Sequence, residues 1–356
     1  MMESTLEQYQ KVYGMLEDEQ SKDIYLNRLN YLISNNKRYI DAIVSAYLPM
    51  APLKEDKTIF DLRNSMPANR KIVFYGAGTV GKAILPCWQD DERVIGFCSR
   101  TKKKQENGYC GYPVISPEEL FARKDLSVVI STTSDYEEID QILRDNGYPE
   151  DQIYNLSKYF RYEDRTQYFS PSFMAYEDEE VFLDVGCCNL NSTMELRKHC
   201  KHLKKVYAFE PDPISYEICV ERKERYGLKE VELLPLGAWS EQAILPFESE
   251  NNGGSNICET GSLSVAVAPI DEVVAQEDRI TMIKMDIEGA ELRALKGAQQ
   301  TIRRDKPKLA ICIYHKPEDM IDIPLYIKEL VPEYKLYIRH HSNDIFETVL
   351  YAVMPG

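Results

Sequence analysis

Short apolar runs between residues 181 and 353 constrain the fold more than any other feature, because helical patterns separate most of them. Seven runs are predicted to be strands: residues 181–185, 206–209, 231–234, 280–285, 309–314, 335–339 and 348–353. Strands that alternate with helices build a parallel sheet. No long helix separates the last two runs, so we expect the final strand to enter the sheet antiparallel.

The first two of these strands end in acids. Ligands of open parallel sheets bind at the carboxyl ends of the strands. Asp184 and Gly186 end the first strand, and a glycine there lets the backbone approach a ligand closely. Glu210 ends the second strand, 26 residues after Asp184, near the offset of about 20 residues for an acid that binds ribose hydroxyls. Either acid could instead cap a turn, but matching acids at adjacent strands favour a nucleoside site.

The fourth strand ends in Asp286-Ile287-Glu288-Gly289, and Glu291 opens the next helix. These acids could be catalytic. Acids in a first helical turn also interact favourably with the helix dipole, which is an alternative explanation for Glu288 and Glu291.

These motifs, in this order, resemble the FkbM family of S-adenosylmethionine-dependent methyltransferases. The matching segments are residues 182–186, 208–213, 269–272, 283–291, 295–298 and 307–311. The resemblance implies a class I methyltransferase fold over residues 181–356, with S-adenosylmethionine as cofactor. It implies that Asp184 and Gly186 lie beside the methionine part, that Glu210 holds the ribose, and that residues 237–239 lie near the adenine. The expected cofactor-binding residues are Asp184, Gly186, Glu210, Asp212, Ala238 and Trp239.

One departure from the family pattern concerns a second glycine after Gly186. Leu190 or Asn191 occupies its position, after the adjacent Cys187 and Cys188. Because asparagine tolerates positive φ, we expect Asn191 to keep the turn.

The resemblance also implies O-methylation of a hydroxyl on a small-molecule, sugar or glycan-related acceptor. An alcohol must lose its proton as the new bond forms. The candidate catalytic bases are Asp286, Glu288 and His315, and His340 and His341 are further candidates on the acceptor side.

A divalent metal is the less favoured alternative for these acids. Asp271, Asp286 and Glu288 could hold Mg²⁺, which prefers hard oxygen ligands and could lower the pKa of the acceptor. We do not predict a metal site. Residues 251–256 could be a plain loop or a lid over the acceptor.

Residues 67–160 predict a second Rossmann-like domain. Gly76-x-Gly78-x-x-Gly81 follows a strand, as in dinucleotide-binding sites, but the second strand lacks the confirming acid. Arg100 stands nearby and could bind the 2′-phosphate of NADP. The glycines could equally serve strand–helix packing. An NAD(P)-dependent sugar-modifying enzyme and a non-catalytic nucleotide-sugar-sensing scaffold are therefore the rival functions.

Two segments complete the α/β architecture of two Rossmann-like domains. Residues 1–66 have helical spacing and look too thin to fold alone, so we expect them to pack on the rest of the chain or on a second subunit, as in a homodimer. Residues 161–180 contain several aromatic residues and predict an ordered connector.

Charge and composition exclude several partners. The net charge of −15 argues against nucleic-acid binding, and the short basic run at residues 100–104 predicts a solvated loop. The nine cysteines lack metal-ligand spacing and fit a reducing cytoplasm. No apolar run is long enough for a membrane span, and the N-terminus does not resemble a signal peptide.

Overall fold

The computed structural model describes residues 5–48, 59–88, 91–132, 136–156, 166–249, 255–258, 260–342 and 345–355. The chain forms two compact units. The larger unit combines residues 1–48 with residues 164–356, and the smaller unit spans residues 49–163. The segment 1–66 is thus divided between the two units.

Helices and strands are numbered along the chain. The helices are α1 (Thr5–Met15), α2 (Glu19–Ser34), α3 (Arg38–Tyr47), α4 (Ile59–Ser65), α5 (Thr79–Ile84), α6 (Lys102–Asn107), α7 (Pro117–Phe121), α8 (Tyr136–Asp145), α9 (Asn191–His199), α10 (Pro213–Arg225), α11 (Ile270–Val273), α12 (Glu291–Gly297), α13 (Gln299–Asp305) and α14 (Asp319–Leu330). The strands are β1 (Ile72–Tyr75), β2 (Val94–Cys98), β3 (Val114–Ile115), β4 (Ser127–Ile130), β5 (Ile153–Asn155), β6 (Glu179–Val185), β7 (His202–Phe209), β8 (Val231–Leu234), β9 (Gly237–Ala238), β10 (Ala243–Glu248), β11 (Asn256–Ile257), β12 (Leu263–Ala268), β13 (Met282–Met285), β14 (Lys308–Cys312), β15 (Lys335–His340) and β16 (Thr348–Val353).

The smaller unit is a parallel sheet in the order β3-β2-β1-β4-β5. Its central strands are buried on both faces, as parallel sheets covered by helices are. The Rossmann-like fold predicted for this region is confirmed. The basic run at residues 100–104 is not a plain loop, because Lys102–Lys104 begin the short helix α6.

The larger unit is built on a sheet in the order β15-β16-β14-β13-β6-β7-β8. Strands β14, β13, β6, β7 and β8 are parallel neighbours, and β16 pairs antiparallel with both β14 and β15. The last strand therefore enters the sheet antiparallel, as predicted. The class I methyltransferase topology is confirmed.

Both faces of this sheet are buried, because side chains alternate along each strand. On β6, Val181, Leu183 and Val185 join one apolar core, whereas Phe182 joins the core on the opposite face. Such burial holds the strand ends in fixed positions, so residues that follow β6, β7 and β13 occupy defined places along one edge.

The first helices of the chain cover the sheet edge at β15. The Glu17 amide donates to the Leu336 carbonyl at 3.0 Å, and the Ile338 amide donates to Ser21 Oγ at 2.9 Å. Asp18 pairs with Arg339 at 2.6 Å between Oδ2 and Nη2. The first two contacts satisfy the Leu336 carbonyl and the Ile338 amide, which an exposed edge strand would leave without hydrogen bonds. Residues 1–48 thus pack on the end of the chain, as part of the larger unit.

A second, four-stranded sheet in the order β11-β10-β12-β9 lies between β8 and β13 in the sequence. The sequence pattern does not predict this four-stranded sheet. Its short strands carry no long alternating pattern, and β11 overlaps the segment interpreted as a loop. Residues 251–254 of that loop lie outside the described residues.

Candidate functional site

A cleft of about 610 Å³, including its open mouth, lies at the carboxyl ends of β6, β7 and β13. The cleft combines acidic side chains with apolar walls. It is lined by Val185, Gly186, Cys188, Phe209, Glu210, Pro211, Ser215, Leu236, Gly237, Ala238, Phe247, Ser255, Asn256, Ile257, Asp286, Ile287, Glu288 and Ala290.

Glu210 is the acid at the end of β7 and lies in the wall of this cleft. Its Oε2 accepts the Cys188 amide at 2.8 Å, and its Oε1 accepts the Asp212 amide at 2.9 Å. Burial raises the pKa of Glu210 to about 7, although the two backbone amides act in the opposite direction. A carboxylate oxygen has two acceptor positions, so each of these oxygens can accept one further hydrogen bond.

Gly186 follows β6 and passes close to the end of β13. Its φ is +76°, and a Cβ atom there would lie 2.1 Å from the Asp286 carbonyl oxygen. Only glycine fits this approach. The residue therefore joins the ends of two strands and forms part of the cleft floor.

Asp184 lies behind the cleft and holds the loop in place. The hydroxyls of Ser192 and Thr193 donate to its Oδ2 at 2.6 and 2.7 Å. Its Oδ1 is 3.6 Å from Lys284 Nζ, and this ammonium donates to the Gly186 carbonyl at 2.6 Å. Burial opposes the charge of Lys284, but Asp184 and Asp286 raise its pKa above the ordinary value. Asp184 is a positioning residue for the turn that lines the cleft.

Asp212 also lies behind the cleft wall. It caps α10 through the Ile214 amide at 2.9 Å, and its Oδ2 accepts the hydroxyls of Ser249 and Ser255 at 2.8 and 2.6 Å. These serines flank the loop between β10 and β11. Asp212 therefore couples the start of α10 to both ends of that loop.

The segment at β9 divides between cleft and core. Gly237 and Ala238 line the cleft, whereas Trp239 packs beside Phe247 in the second sheet, with Arg293 5.7 Å from its ring centre. Ala238 is therefore available to a ligand in the cleft, whereas Trp239 is not one of the lining residues.

The expectation for Asn191 is wrong. Leu190 has φ +61° and Cys188 has φ +53°, whereas Asn191 is already the first residue of α9. A leucine in the left-handed region costs about 1–2 kcal/mol. Its side chain is fully buried, which offsets that cost, so packing rather than local preference selects this turn.

Asp286 ends β13 and faces the cleft. Its Oδ2 accepts the Tyr168 hydroxyl at 2.9 Å, and its Oδ1 accepts the Tyr314 hydroxyl at 3.2 Å. Burial opposes ionisation, but the charges of Lys284 and His315 and the Tyr168 hydroxyl hold the pKa of Asp286 below its usual value. Tyr168 comes from the segment predicted to be an ordered connector. Tyr162 of that segment lies outside the described residues.

His315 stands behind Asp286 and Glu288, with a side chain only 7% exposed. Its Nε2 is 3.5 Å from Asp286 Oδ1 and 3.4 Å from Glu288 Oε2, and its Nδ1 is 2.9 Å from Glu291 Oε1. Burial opposes protonation, but Glu291, followed by Asp286 and Glu288, raises the pKa of His315 to about 9. An imidazole that keeps its proton at neutral pH is a poor general base, so the two carboxylates are better placed for that role.

The other base and metal candidates lie elsewhere. His340 Nδ1 is 2.8 Å from Thr348 Oγ1, and His341 Nε2 is 2.7 Å from the Tyr351 hydroxyl, so both rings are buried among strands. Asp271 accepts the amides of Gln300 and Thr301 at 2.9 and 2.8 Å and caps α13. Asp271 does not lie with Asp286 and Glu288, so the alternative Mg²⁺ site that included all three residues is wrong.

Packing accounts for Gly81 in the glycine-rich loop of the smaller unit. A Cβ at Gly81 would lie 2.5 Å from the Gly76 carbonyl oxygen and 2.9 Å from the Phe97 ring. Lys104 donates to the Ala77 carbonyl at 2.7 Å, and Arg100 pairs with Glu138 at 3.3 Å. These close approaches explain Gly81 without a ligand.

Residues 184–341 match the family model of the methyltransferase FkbM domain. The domain that they form belongs to the FkbM methyltransferase family. Residues 68–154 match a second model, described as C2185-like, N-terminal. No helix among the described residues is long and apolar enough to cross a membrane.

Individual relatives are distant. The hexuronic acid methyltransferase AglP of Haloferax volcanii is 28% identical over 132 residues, which are 36% of this chain and 53% of AglP. The chain thus spans about half the length of this curated relative. The crystal structure of methyltransferase FkbM from Methylobacillus flagellatus KT is 21% identical, with 92% of this chain and 100% of that chain covered and a TM-score of 0.49. A putative methyltransferase from Streptococcus mutans in complex with S-adenosylhomocysteine is 18% identical, with 49% and 88% covered and a TM-score of 0.32.

The sequence predictions cover part of the cleft of the FkbM domain. Gly186, Glu210, Ala238, Asp286 and Glu288 line it together. The other expected residues, Asp184, Asp212, Trp239 and His315, support it from behind. The second sheet supplies lining residues that the sequence analysis missed, which are Phe247, Asn256 and Ile257. Pro246 interrupts the apolar run of β10 before Phe247, and β11 has only two residues, so no pattern reveals them.

Proposed function

We propose that the protein is an S-adenosylmethionine-dependent O-methyltransferase that acts on a hydroxyl of a sugar or glycan-related acceptor. Glu210 carries this proposal, because it ends the second strand of the sheet, faces the cleft and is held by two backbone amides. This is the position from which an acid binds the hydroxyls of a ribose.

The cleft fits a nucleoside with a charged tail. Beside Glu210, the apolar side chains of Leu236 and Ile257 form a wall that suits the flat face of an adenine. Gly186, Cys188 and Asp286 also line the cleft. The cofactor, when bound, supplies a methyl group on a sulfonium, and the acceptor oxygen takes this methyl as the carbon–sulfur bond breaks and a neutral thioether leaves.

The residues of the chain then have three tasks. Glu210 and the apolar wall orient the nucleoside. Asp286 and Glu288 line the cleft and can accept the proton that the acceptor hydroxyl loses, an effect worth typically 10²- to 10⁴-fold in rate. Tyr168 and Tyr314 hold Asp286 in its orientation through the two hydroxyl contacts.

A carbohydrate acceptor is supported by two observations. The distant relative AglP is a hexuronic acid methyltransferase. In addition, the carboxylates of Asp286 and Glu288 are acceptors for hydroxyl donors, which sugars present in abundance.

Transfer of an isotope-labelled methyl group from S-adenosylmethionine to sugar nucleotides and hexuronic-acid glycans tests this function. We expect labelled product with the wild-type chain and a loss of about 10²-fold or more in rate with Asp286→Asn. The exposed Asp125 of the smaller unit provides a matched control, Asp125→Asn, which should keep the full rate. If Asp286→Asn transfers label as fast as the control, the assigned site is wrong.

A further inference from the structure

Asp286, Glu288 and His315 form a cluster whose ligand atoms all lie within 4.8 Å of one another. Two of them line the cleft, and the third, His315, stands directly behind. Neither ring nitrogen of His315 makes a hydrogen bond to any of the described residues, although the side chain is only 7% exposed, and Nε2 lies close to the two carboxylates. A buried nitrogen without a hydrogen-bond partner calls for an explanation.

The distances within the cluster suit coordination of a metal. From Nε2 to Asp286 Oδ1 is 3.5 Å and to Glu288 Oε2 is 3.4 Å. Both are too long for hydrogen bonds of ordinary strength. Two ligands that bind one metal at about 2.1 Å with a tetrahedral angle are about 3.4 Å apart. The nitrogen is therefore spaced from each of the two oxygens as two ligands of one cation are, and all the ligand atoms lie within 4.8 Å of one another.

The surroundings of the cluster hold its members as a metal site requires. Glu291 is fully buried, lies 2.9 Å from His315 Nδ1 and accepts the Ile287 amide at 2.9 Å. A histidine that binds a metal through one nitrogen almost always presents its other nitrogen to a carboxylate or carbonyl, which fixes the ring. The hydroxyls of Tyr168 and Tyr314 do the same for Asp286.

The charge balance also favours a cation. Asp286, Glu288 and Glu291 bring three carboxylates to one imidazole, and the Lys284 ammonium is already engaged by Asp184 and the Gly186 carbonyl. In addition, Glu288 has φ +53°, a left-handed conformation that a non-glycine residue adopts at some energetic cost. Glu288 thus adopts a costly backbone conformation at a place where Asp286 and Glu291 already bring negative charge.

We propose that Asp286, Glu288 and His315 bind one divalent cation of the Mn²⁺ or Zn²⁺ class, which displaces the proton from the imidazole Nε2, with Glu291 as the residue that orients the ring. One nitrogen and two oxygens match these ions better than Mg²⁺, which prefers oxygen alone. Three protein ligands leave a coordination position open, as in catalytic sites. That position faces the cleft, where the cation would bind the acceptor oxygen and lower the pKa of its hydroxyl. The cation site itself is independent of methyl transfer, and only this last role rests on the proposed function.

Electron paramagnetic resonance of Mn²⁺ with the metal-stripped full chain is the direct test. Mn²⁺ is the better probe because the cysteines of the chain would compete for Zn²⁺. We expect about one Mn²⁺ bound per chain, displaced by a stoichiometric amount of Zn²⁺. His315→Ala should abolish this binding. Glu291→Gln, which keeps the side-chain volume, should weaken it about 10- to 100-fold.

His199 offers a matched control, because its Nε2 lies 3.2 Å from Glu195 in a histidine–glutamate pair outside the cluster. His199→Ala should bind Mn²⁺ like the wild type. Absence of Mn²⁺ and Zn²⁺ binding by the wild type, or equal weakening by His199→Ala and Glu291→Gln, would overturn the cation site. Titration of S-adenosylhomocysteine with the same samples separates the two proposals. If the chain binds S-adenosylhomocysteine but no Mn²⁺, only the cation site is contradicted. If it binds Mn²⁺ but no S-adenosylhomocysteine, only the proposed function is contradicted.

Discussion

The two units of this chain place glycines after the first strand of a parallel sheet, but the glycines serve different ends. In the smaller unit, Gly81 of α5 lies so close to the Gly76 carbonyl that a Cβ atom would be 2.5 Å from its oxygen, and β2 ends near Arg100, which is paired with Glu138. In the larger unit, Gly186 lies in the floor of a cleft, and β7 ends in Glu210, which faces the same cleft.

The difference shows which part of a glycine motif reports on a ligand. A close backbone approach is required both for packing and for binding, so the glycines alone do not distinguish the two. The acid at the second strand end does, because a buried carboxylate is stable only where hydrogen-bond donors meet it. We therefore expect nucleoside binding by the larger unit, through Glu210.

Substitution of glycine by alanine should give the largest contrast. Gly186→Ala places a Cβ 2.1 Å from the Asp286 carbonyl at φ +76°. Backbone strain and overpacking, each about 1–3 kcal/mol, should lower the free energy of unfolding by roughly 2–6 kcal/mol. Gly78→Ala in the smaller unit meets no atom within 4 Å and should change it by less than about 0.5 kcal/mol. Chemical denaturation of both variants measures this. Equal losses would mean that the two loops do not differ as described.

Removal of the charged group at each second strand should give the next contrast. Glu210→Ala removes charge-assisted hydrogen bonds worth about 1.5–3 kcal/mol, so the affinity for S-adenosylhomocysteine should fall roughly 10- to 100-fold. Arg100→Ala should leave that affinity unchanged. Calorimetric titration of the two variants with S-adenosylhomocysteine measures both affinities. A loss of affinity in Arg100→Ala as large as that in Glu210→Ala would place the nucleoside elsewhere.

The pH dependence of binding should show the smallest of the three effects. Because burial raises the pKa of Glu210 to about 7, this side chain is mostly neutral at pH 6 and mostly ionised at pH 8. Ribose hydroxyls bind best to the ionised form, so the affinity for S-adenosylhomocysteine should rise up to roughly tenfold between these values. Glu210→Gln, which does not titrate, should lose this increase. A wild-type affinity that is flat over this range would show that Glu210 does not accept the ribose hydroxyls in its ionised form.

The sequence predicted the elements that depend on local pattern. The seven strands of the large sheet, its antiparallel last strand and the acid Glu210 follow from apolar runs and the residues that end them. The supporting roles of Asp184 and Asp212 did not follow, because an acid that caps a helix and an acid that meets a ligand look alike in sequence. The positive φ of Leu190 did not follow either, since tertiary packing overrides the reluctance of leucine to adopt this conformation.

The cluster around His315 shows the same limit from another side. The sequence placed Asp286, Glu288 and His315 at neighbouring strand ends as candidate bases. It could not show that Glu291 lies 2.9 Å from the imidazole and raises its pKa, because Glu291 was explained as a helix-dipole acid. That contact makes the histidine a poor general base.

Competitive titration of the full-length wild-type chain with S-adenosylhomocysteine and NADPH tests the central claim most directly. We expect one S-adenosylhomocysteine per chain, with an affinity that saturating NADPH does not alter. Binding of NADPH in the absence of any S-adenosylhomocysteine binding would contradict this account and assign the nucleotide chemistry to the smaller unit.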